Sequence, residues 1–427
     1  MAGKIEKPVL VQPTWRTPEE RGQCDIVRGV TIVTPLHGGG VALHPEQDKS
    51  FLKDFDRVTP LRSAAVVGQV RFWWRATHGA RAASLQEMQQ REANLFGAAS
   101  EPGKVSLRVD TPKWTCKEVP LWESTLAKNG NSWNPKTLPG MEAVAYGAFA
   151  LQAKAGQPVR TESGVLRAIS GIFNLVWTCP TQFQGELCDA IDTWLTFGGV
   201  GGRTRRGFGA VCSETTPSWD KLKARLETAL GGLPTLPSIA ALVPADVVLG
   251  QPKESPEAAH SAALAKLRTL RQGVDVGRNR GKLRPEGRSL WPEPDAIRTL
   301  QRRSDPAHSK PMYTEILARF PRALFGMPII FHFQSKSDPS PTSLAPSDRN
   351  RMASPLVLRP VRVAGKWAPC CVLLADTARQ RMQVALSGQP VEWRLTPKEQ
   401  ATVAQYVKPM KGHSDVLRAF LTHFQNA

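Results

Sequence analysis

The stretch TFGGVGGRTRRGFGAV, Thr196 to Val211, packs six glycines and three arginines into sixteen residues. Its place between elements decides the fold. A dinucleotide fingerprint puts its glycines after a strand and before a helix. Here GELCDAIDTWLTF (185–197) reads as a helix, because Leu187, Ile191, Trp194 and Leu195 share a face. FGAVCSE (208–214) then reads as a strand. The order is reversed, so a free dinucleotide is not expected. A P-loop needs Gly-Lys-Ser or Gly-Lys-Thr after its glycines, and neither occurs. What remains is a loop whose backbone N–H groups can approach a phosphate chain while Arg203, Arg205 and Arg206 pair with it. A tight hairpin-like connection with exposed arginines is the plainer alternative.

Upstream, DIVRGVTIVTPL (25–36) reads as a strand rich in β-branched residues. VTPLRSAAVVGQVRFWWRATHGAR follows as a helix, with Thr59 as cap, Pro60 at the first helical position and Gly79 at its close. KVSLRVD (104–110) alternates as a strand does, and GVLRAISGIFNLVW adds a further apolar run. EAVAYGAFALQAK fits a strand or a buried helix. The succession is βαββαβ with insertions. Residues 111–140 look like a long excursion.

SWDKLKARLETAL (218–230) is read as a connecting helix, and GGLPTLPS as a boundary. The expected organisation is therefore 1–217, a linker at 218–235, and a second unit at 236–427. Helices are expected near 256–272 and 294–303, and strands near 326–334, 355–363 and 368–375. The Pro/Ser-rich segment 335–350 is expected to be disordered when unbound.

The 427 residues carry 56 Lys and Arg against 37 Asp and Glu, a net charge of +19. Such a chain attracts polyanions, nucleic acid first. No apolar run reaches the roughly 18 residues of a bilayer span, so no membrane partner is expected. MAGKIEKPVL shows no apolar signal region, and a cytoplasmic location follows. The seven cysteines have no metal-site spacing and are read as reduced thiols. Adjacent Cys370 and Cys371 should point to opposite faces of a strand. No metal and no cofactor are expected.

On the long helix, stepping 100° per residue from Arg71 puts Arg75 at about 40°, His78 at about −20° and Gly68 at about 60°. Val66, Val70 and Trp73 lie on a separate face. Arg62 precedes this cationic stripe, which is read as a phosphate contact; a solvated basic face is the alternative. Residues 266–303 hold eleven Lys and Arg against four acids around Trp291. Basic groups with an exposed aromatic suit single-stranded nucleic acid. The histidines match no hydrolase or kinase set, and no catalytic residue is expected among them. Asp54 and Asp56 are a weak metal pair. His37 and His44 flank the first loop, where a histidine can hydrogen-bond a phosphate or a base, or act as acid or base in RNA cleavage.

TPLHGGG, TPLRSAAVVGQVRFWWRATHGA, LFG and GGVGGRTRRGFG, in that order, resemble the RAMP superfamily of CRISPR-associated proteins. GRSLWPEPDAIR (287–298) and FGMPIIFHF…RMASPLVLRP (325–360) resemble later motifs of its first-subunit family in type III-B (Cmr) RNA-guided effector complexes. The resemblance implies an α+β fold of two tandem ferredoxin-like (RRM-like) RAMP domains with insertions. It implies a non-catalytic subunit in antiviral defence, near the guide 3′ end and the target 5′ end. The implied partners are guide RNA, target RNA and other RAMP subunits. In such complexes an acid in the first-domain loop of the repeated backbone subunit cuts the target. Here HGGGVALHPEQDK is built differently, and Asp48 is no match.

Motif matches carry RNA binding onto His37, Gly38, Gly39 and Gly40, onto Arg62, Gly68, Arg71 and Arg75, and onto Gly198, Gly199, Gly201, Gly202, Arg203, Arg205 and Arg206. Arg288, Trp291 and Arg298 join them. The runner-up is a metal-independent endoribonuclease that processes guide precursors with His37. A structural adaptor with incidental charge is the third reading.

Overall fold

The computed structural model describes residues 17–37, 60–110, 113–126, 133–149, 165–280, 287–316 and 318–426. Gly38, Gly39, Gly40, His44, Asp48, Asp54, Asp56 and Thr59 lie outside these residues.

The first half runs β1 (Gln23–Ile32), α1 (Ser63–Ala76), α2 (Leu85–Phe96), a small hairpin of β2 (Gly97–Ala98) and β3 (Glu101–Pro102), then β4 (Ser106–Asp110). Next come β5 (Thr115–Pro120), β6 (Trp122–Leu126), β7 (Trp133–Thr137), α3 (Glu142–Gly147), β8 (Val165–Ser170) and β9 (Phe173–Pro180). α4 (Gln184–Phe197), the Gly-rich loop, β10 (Val211–Ser213) and α5 (Trp219–Leu230) complete it. The sheet order is β10-β1-β9-β4, all antiparallel. With α1 after β1 and α4 after β9, this is the βαββαβ succession anticipated from the sequence. The Gly-rich loop does follow a helix and precede a strand.

Three boundaries move. Among the described residues no side chain caps α1, which starts at Ser63 behind an extended Arg62. Gly79 opens a 3-10 turn rather than closing the helix; Thr77 ends it, its hydroxyl donating to the Trp73 carbonyl at 2.8 Å. The excursion at 111–140 contains three strands, because Leu121 and Trp122 are apolar anchors within a polar context. EAVAYG resolves as helix, its Ala143, Val144 and Ala145 buried against the helix Pro256–Gln272.

The second half runs β11 (Val247–Leu249), α6 (Pro256–Gln272), α7 (Glu293–Gln301), β12 (Ile329–Phe331), β13 (Thr342–Pro346), β14 (Leu356–Val363) and β15 (Lys366–Leu373). β16 (Val384–Leu386), β17 (Gln389–Val391), α8 (Pro397–Tyr406) and α9 (Val416–Asn426) follow. The order β11-β15-β14 repeats β1-β9-β4, with α6 after its first strand and α9 following its third. Among the described residues no fourth strand joins this sheet. A second sheet, β12-β13-β16-β17, is an addition. The segment 335–350 is thus ordered, against expectation. Leu344 is fully buried, β13 pairs on both sides, and Asp338 is locked to Arg298 at 2.8 Å.

Two apolar cores meet at the β14–β15 hairpin. Val357, Val361, Cys370 and Val372 face the core of the first half; Leu356, Leu358, Cys371 and Leu373 face the other. Cys370 and Cys371 point opposite ways, as anticipated. Leu222, Leu226 and Leu230 of α5 pack into the first core at helical spacing.

Candidate nucleic-acid interface

The Gly-rich loop is a tight, internally bonded turn. The Val200 N–H donates to the Gly209 carbonyl at 2.8 Å, and Gly202 N–H to His37 at 2.7 Å. A Cβ on Gly209, where φ is 61°, would lie 2.1 Å from the Val200 carbonyl oxygen. The glycines therefore let the loop close on itself, not only approach a ligand. Arg359, 1% exposed, fixes both ends of this turn. Its guanidinium donates to the carbonyls of Gly198, Leu195 at 3.3 Å and Val211 at 2.8 Å. Leu195 and Gly198 lie at the C-terminus of α4, where a cation is favoured. Burial pulls this guanidinium down to about 10.

The loop arginines are held by carbonyls. Arg203 donates to Gly147 at 2.8 Å, Arg206 to Leu356 at 3.3 Å, and Arg205 to Ser354. Arg205 also lies 5.2 Å over the Phe72 ring of α1, which brings loop and helix together. None of the three has a carboxylate within ion-pair distance among the described residues. A carbonyl orients a guanidinium without neutralising it, so the charge persists.

The α1 stripe is different. Arg71 pairs with Glu92 of α2, and Arg75 approaches the same carboxylate at 3.6 Å. His78 meets Asp189 of α4 at 2.8 Å. Arg225 bridges Asp189 and Asp192, and Arg28 meets Asp192 at 3.2 Å. Gly68 is exposed, with open space where a Cβ would stand. Arg62 is half-buried and already engaged.

Arg288, Trp291 and Arg298 depart from expectation. Trp291 is 1% exposed, its indole N–H donating to the Leu270 carbonyl at 3.2 Å. Arg288 pairs with Asp295 at 2.8 Å, and Arg298 with Asp295 and Asp338. Glycines and arginines around a tryptophan suggested a flexible stacking platform. Asp295, seven residues past Arg288, and Asp338 beyond α7 fold them into the core instead.

Arg288 and Arg298 line a cavity of about 1590 Å³ between the Gly-rich loop, α6, α7 and the β12 region. Nine arginines and three carboxylates line it. Arg203 and Arg206 join it to the loop; Arg268, Arg278 and Arg351 are exposed on its walls. Phe149, 63% exposed, is the aromatic at the mouth. The run EAVAYGAFALQAK gave no sign that its Phe lies beyond the helix end. Arg268 and Arg271 did carry a signal, at i and i+3 on the expected 256–272 helix.

His37 sits beside Gly202, half-buried, with Nε2 unpartnered among the described residues. Burial, then the Arg203 charge, holds its pKa below the ordinary histidine value and favours the neutral imidazole. Among the described residues no cluster of His, Cys, Asp or Glu could hold a metal, and no helix is long and apolar enough to cross a membrane.

The RAMP superfamily model matches residues 30–212, from the end of β1 into β10. No curated protein matches the chain. Among solved structures, Cmr1 from Pyrococcus furiosus in its apo form is 17% identical, with TM-score 0.41, over 86% of this chain and 98% of that one. A chain of the type III-B Cmr-beta complex bound to cognate target RNA is 9% identical, with TM-score 0.45, over 93% and 99%. A chain of that complex with target RNA and AMPPnP, in the presence of ssDNA, gives 11% and 0.42, over 93% and 98%.

Proposed function

We propose that this chain, whose residues 30–212 match the RAMP superfamily, is a non-catalytic RNA-binding subunit of a type III-B (Cmr) CRISPR effector complex. It would bind guide and target RNA near the guide 3′ end and the target 5′ end, beside other RAMP subunits, in cytoplasmic antiviral defence. Two ferredoxin-like units, 1–217 and 236–427, would be joined through α5. The repeated order β1-β9-β4 and β11-β15-β14 supports that reading.

The observation that carries the function is the continuity, from the Gly-rich loop into the cleft, of arginines that form no ion pair among the described residues, with Phe149 exposed at its mouth. Guanidiniums take phosphates, and an exposed ring takes a base. The α1 stripe is a second, weaker wall. Base pairing between guide and target would supply sequence, so the chain itself needs little preference.

Fluorescence anisotropy with single-stranded RNA tests this. Affinity should fall linearly with salt on a log–log plot. Arg268→Gln with Arg278→Gln and Arg351→Gln should flatten the slope by about 2, at roughly 0.7 per lost phosphate contact. An unchanged affinity and slope would sink the proposal. The imidazole of His37, its pKa lowered by burial and its Nε2 unpartnered among the described residues, favours one second reading, a metal-independent endoribonuclease. Specific cleavage of precursor RNA in EDTA, abolished in His37→Ala, would establish it over the first.

A further inference from the structure

One group of residues lining the cleft carries unusual charge, and we call it the floor. Arg206, Arg271 and Arg322 all line the cleft together with Tyr146, and Arg271 and Tyr146 are close enough to act electrostatically on both Arg206 and Arg322. Arg322 is 9% exposed and lies 5.6 Å over Trp291 and 5.8 Å over Phe331. Its Nε is 3.0 Å from Glu293, which is completely buried and also accepts from the Arg322 N–H at 2.8 Å. That carboxylate is committed. Arg271 stands 6.0 Å from the Phe325 ring. Neither Arg206 nor Arg271 has a carboxylate within ion-pair distance among the described residues. Among the described residues, these three cations thus have one spent anion as an ion-pair partner. Burial draws Arg206 down to about 10, and Arg271 and Arg203 push the same way. Like charges gathered in a poorly hydrated wall repel strongly, and an anion bound between them reverses the sign.

The surplus is two charges. A phosphomonoester carries about −1.5 to −2 at neutral pH, whereas an internal phosphodiester carries one. A diester must also lead two chain arms away, and this floor is walled by buried Phe325 and Phe331, with Trp291 behind Arg322. An end group needs only one exit, toward the rim with Phe149. We infer that the floor formed by Arg206, Arg271, Arg322 and Tyr146 seats the terminal phosphate of an RNA strand whose following bases leave over Phe149. This rests on the RNA-binding reading above.

The test uses the full chain and ten-nucleotide RNAs ending in a 5′-phosphate, a 3′-phosphate or hydroxyls only. One phosphorylated end should bind at least tenfold more tightly than the hydroxyl form. That ratio should fall to near one in Arg271→Gln and again in Tyr146→Phe, a conservative change that keeps the packing. Equal affinity for all three RNAs would overturn the seat and leave RNA binding intact. Failure of every RNA to bind would overturn both. Inorganic phosphate that competes as strongly as phosphorylated RNA would assign the floor to free phosphate and overturn the strand-end proposal.

Discussion

The α1 surface and the cleft are both rich in arginine, yet their charges are in different states. On α1, Arg71 and Arg75 converge on Glu92, and His78 on Asp189. In the cleft, Arg203 and Arg206 are bonded to carbonyls, and Arg268, Arg271, Arg278 and Arg351 form no ion pair among the described residues. Helical spacing identifies which side chains share a face. It does not reveal what the neighbouring element sets against them. Counting cations therefore overstates the α1 stripe and understates the cleft.

The largest effect should come from Arg359, the extreme case of a cation held by carbonyls. Arg359→Met leaves the Gly198, Leu195 and Val211 carbonyls without their donor. It should cost about 3–5 kcal/mol in urea denaturation. A loss below about 1 kcal/mol would break the claim that carbonyl-bound arginines organise this region.

Next is acid. His260 is 1% exposed, donates from Nε2 to the Arg206 carbonyl at 2.6 Å, and is lowered by burial to about 4. The unfolded chain takes up this proton near pH 6.5, the folded chain only near 4. Stability should be flat above pH 6.5 and fall by roughly 3 kcal/mol toward pH 4. His260→Gln should remove that part of the slope, and melts across the pH range would read it.

The two surfaces can then be set against each other directly. Arg268→Gln with Arg278→Gln should lower RNA affinity about 10- to 100-fold, as expected for two charge-assisted contacts. Arg71→Gln with Arg75→Gln should lower it less than about threefold, because Glu92 already offsets part of their charge. The reverse ranking in anisotropy titrations would return the α1 stripe to first place.

The smallest effect is at Gly68. Its added Cβ meets open space, so Gly68→Ala should stabilise the free chain by about 0.5–1 kcal/mol. If RNA affinity drops in the same variant, the α1 face touches the strand closely despite its paired charges.

The sequence made the first sheet legible because alternation in β1 and β4 and helical spacing in α4 are local signals. So was the division of Cys370 and Cys371 between faces, which needs only the two-residue period of a strand. Counter-ions were not legible: Glu92 lies 21 residues beyond Arg71, and Asp338 lies 40 beyond Arg298. Trp291 misled for the same reason, since its partner is a carbonyl of α6. Arg359 did leave a trace, an arginine inside the apolar run LVLRPV, which can be tolerated only where buried acceptors wait for it.

The β14–β15 hairpin has a consequence for modularity. Its strand supplies Arg359 to the Gly-rich loop and the Leu356 carbonyl to Arg206, and its two faces close two cores. The region matched at 30–212 thus takes the clasp of its loop from a residue about 150 positions downstream. A cut after Ser213 would not release a smaller working part. It would leave an apolar sheet face uncovered and a loop without its clasp. Grafts between relatives should move β14 and β15 together with the glycines they hold.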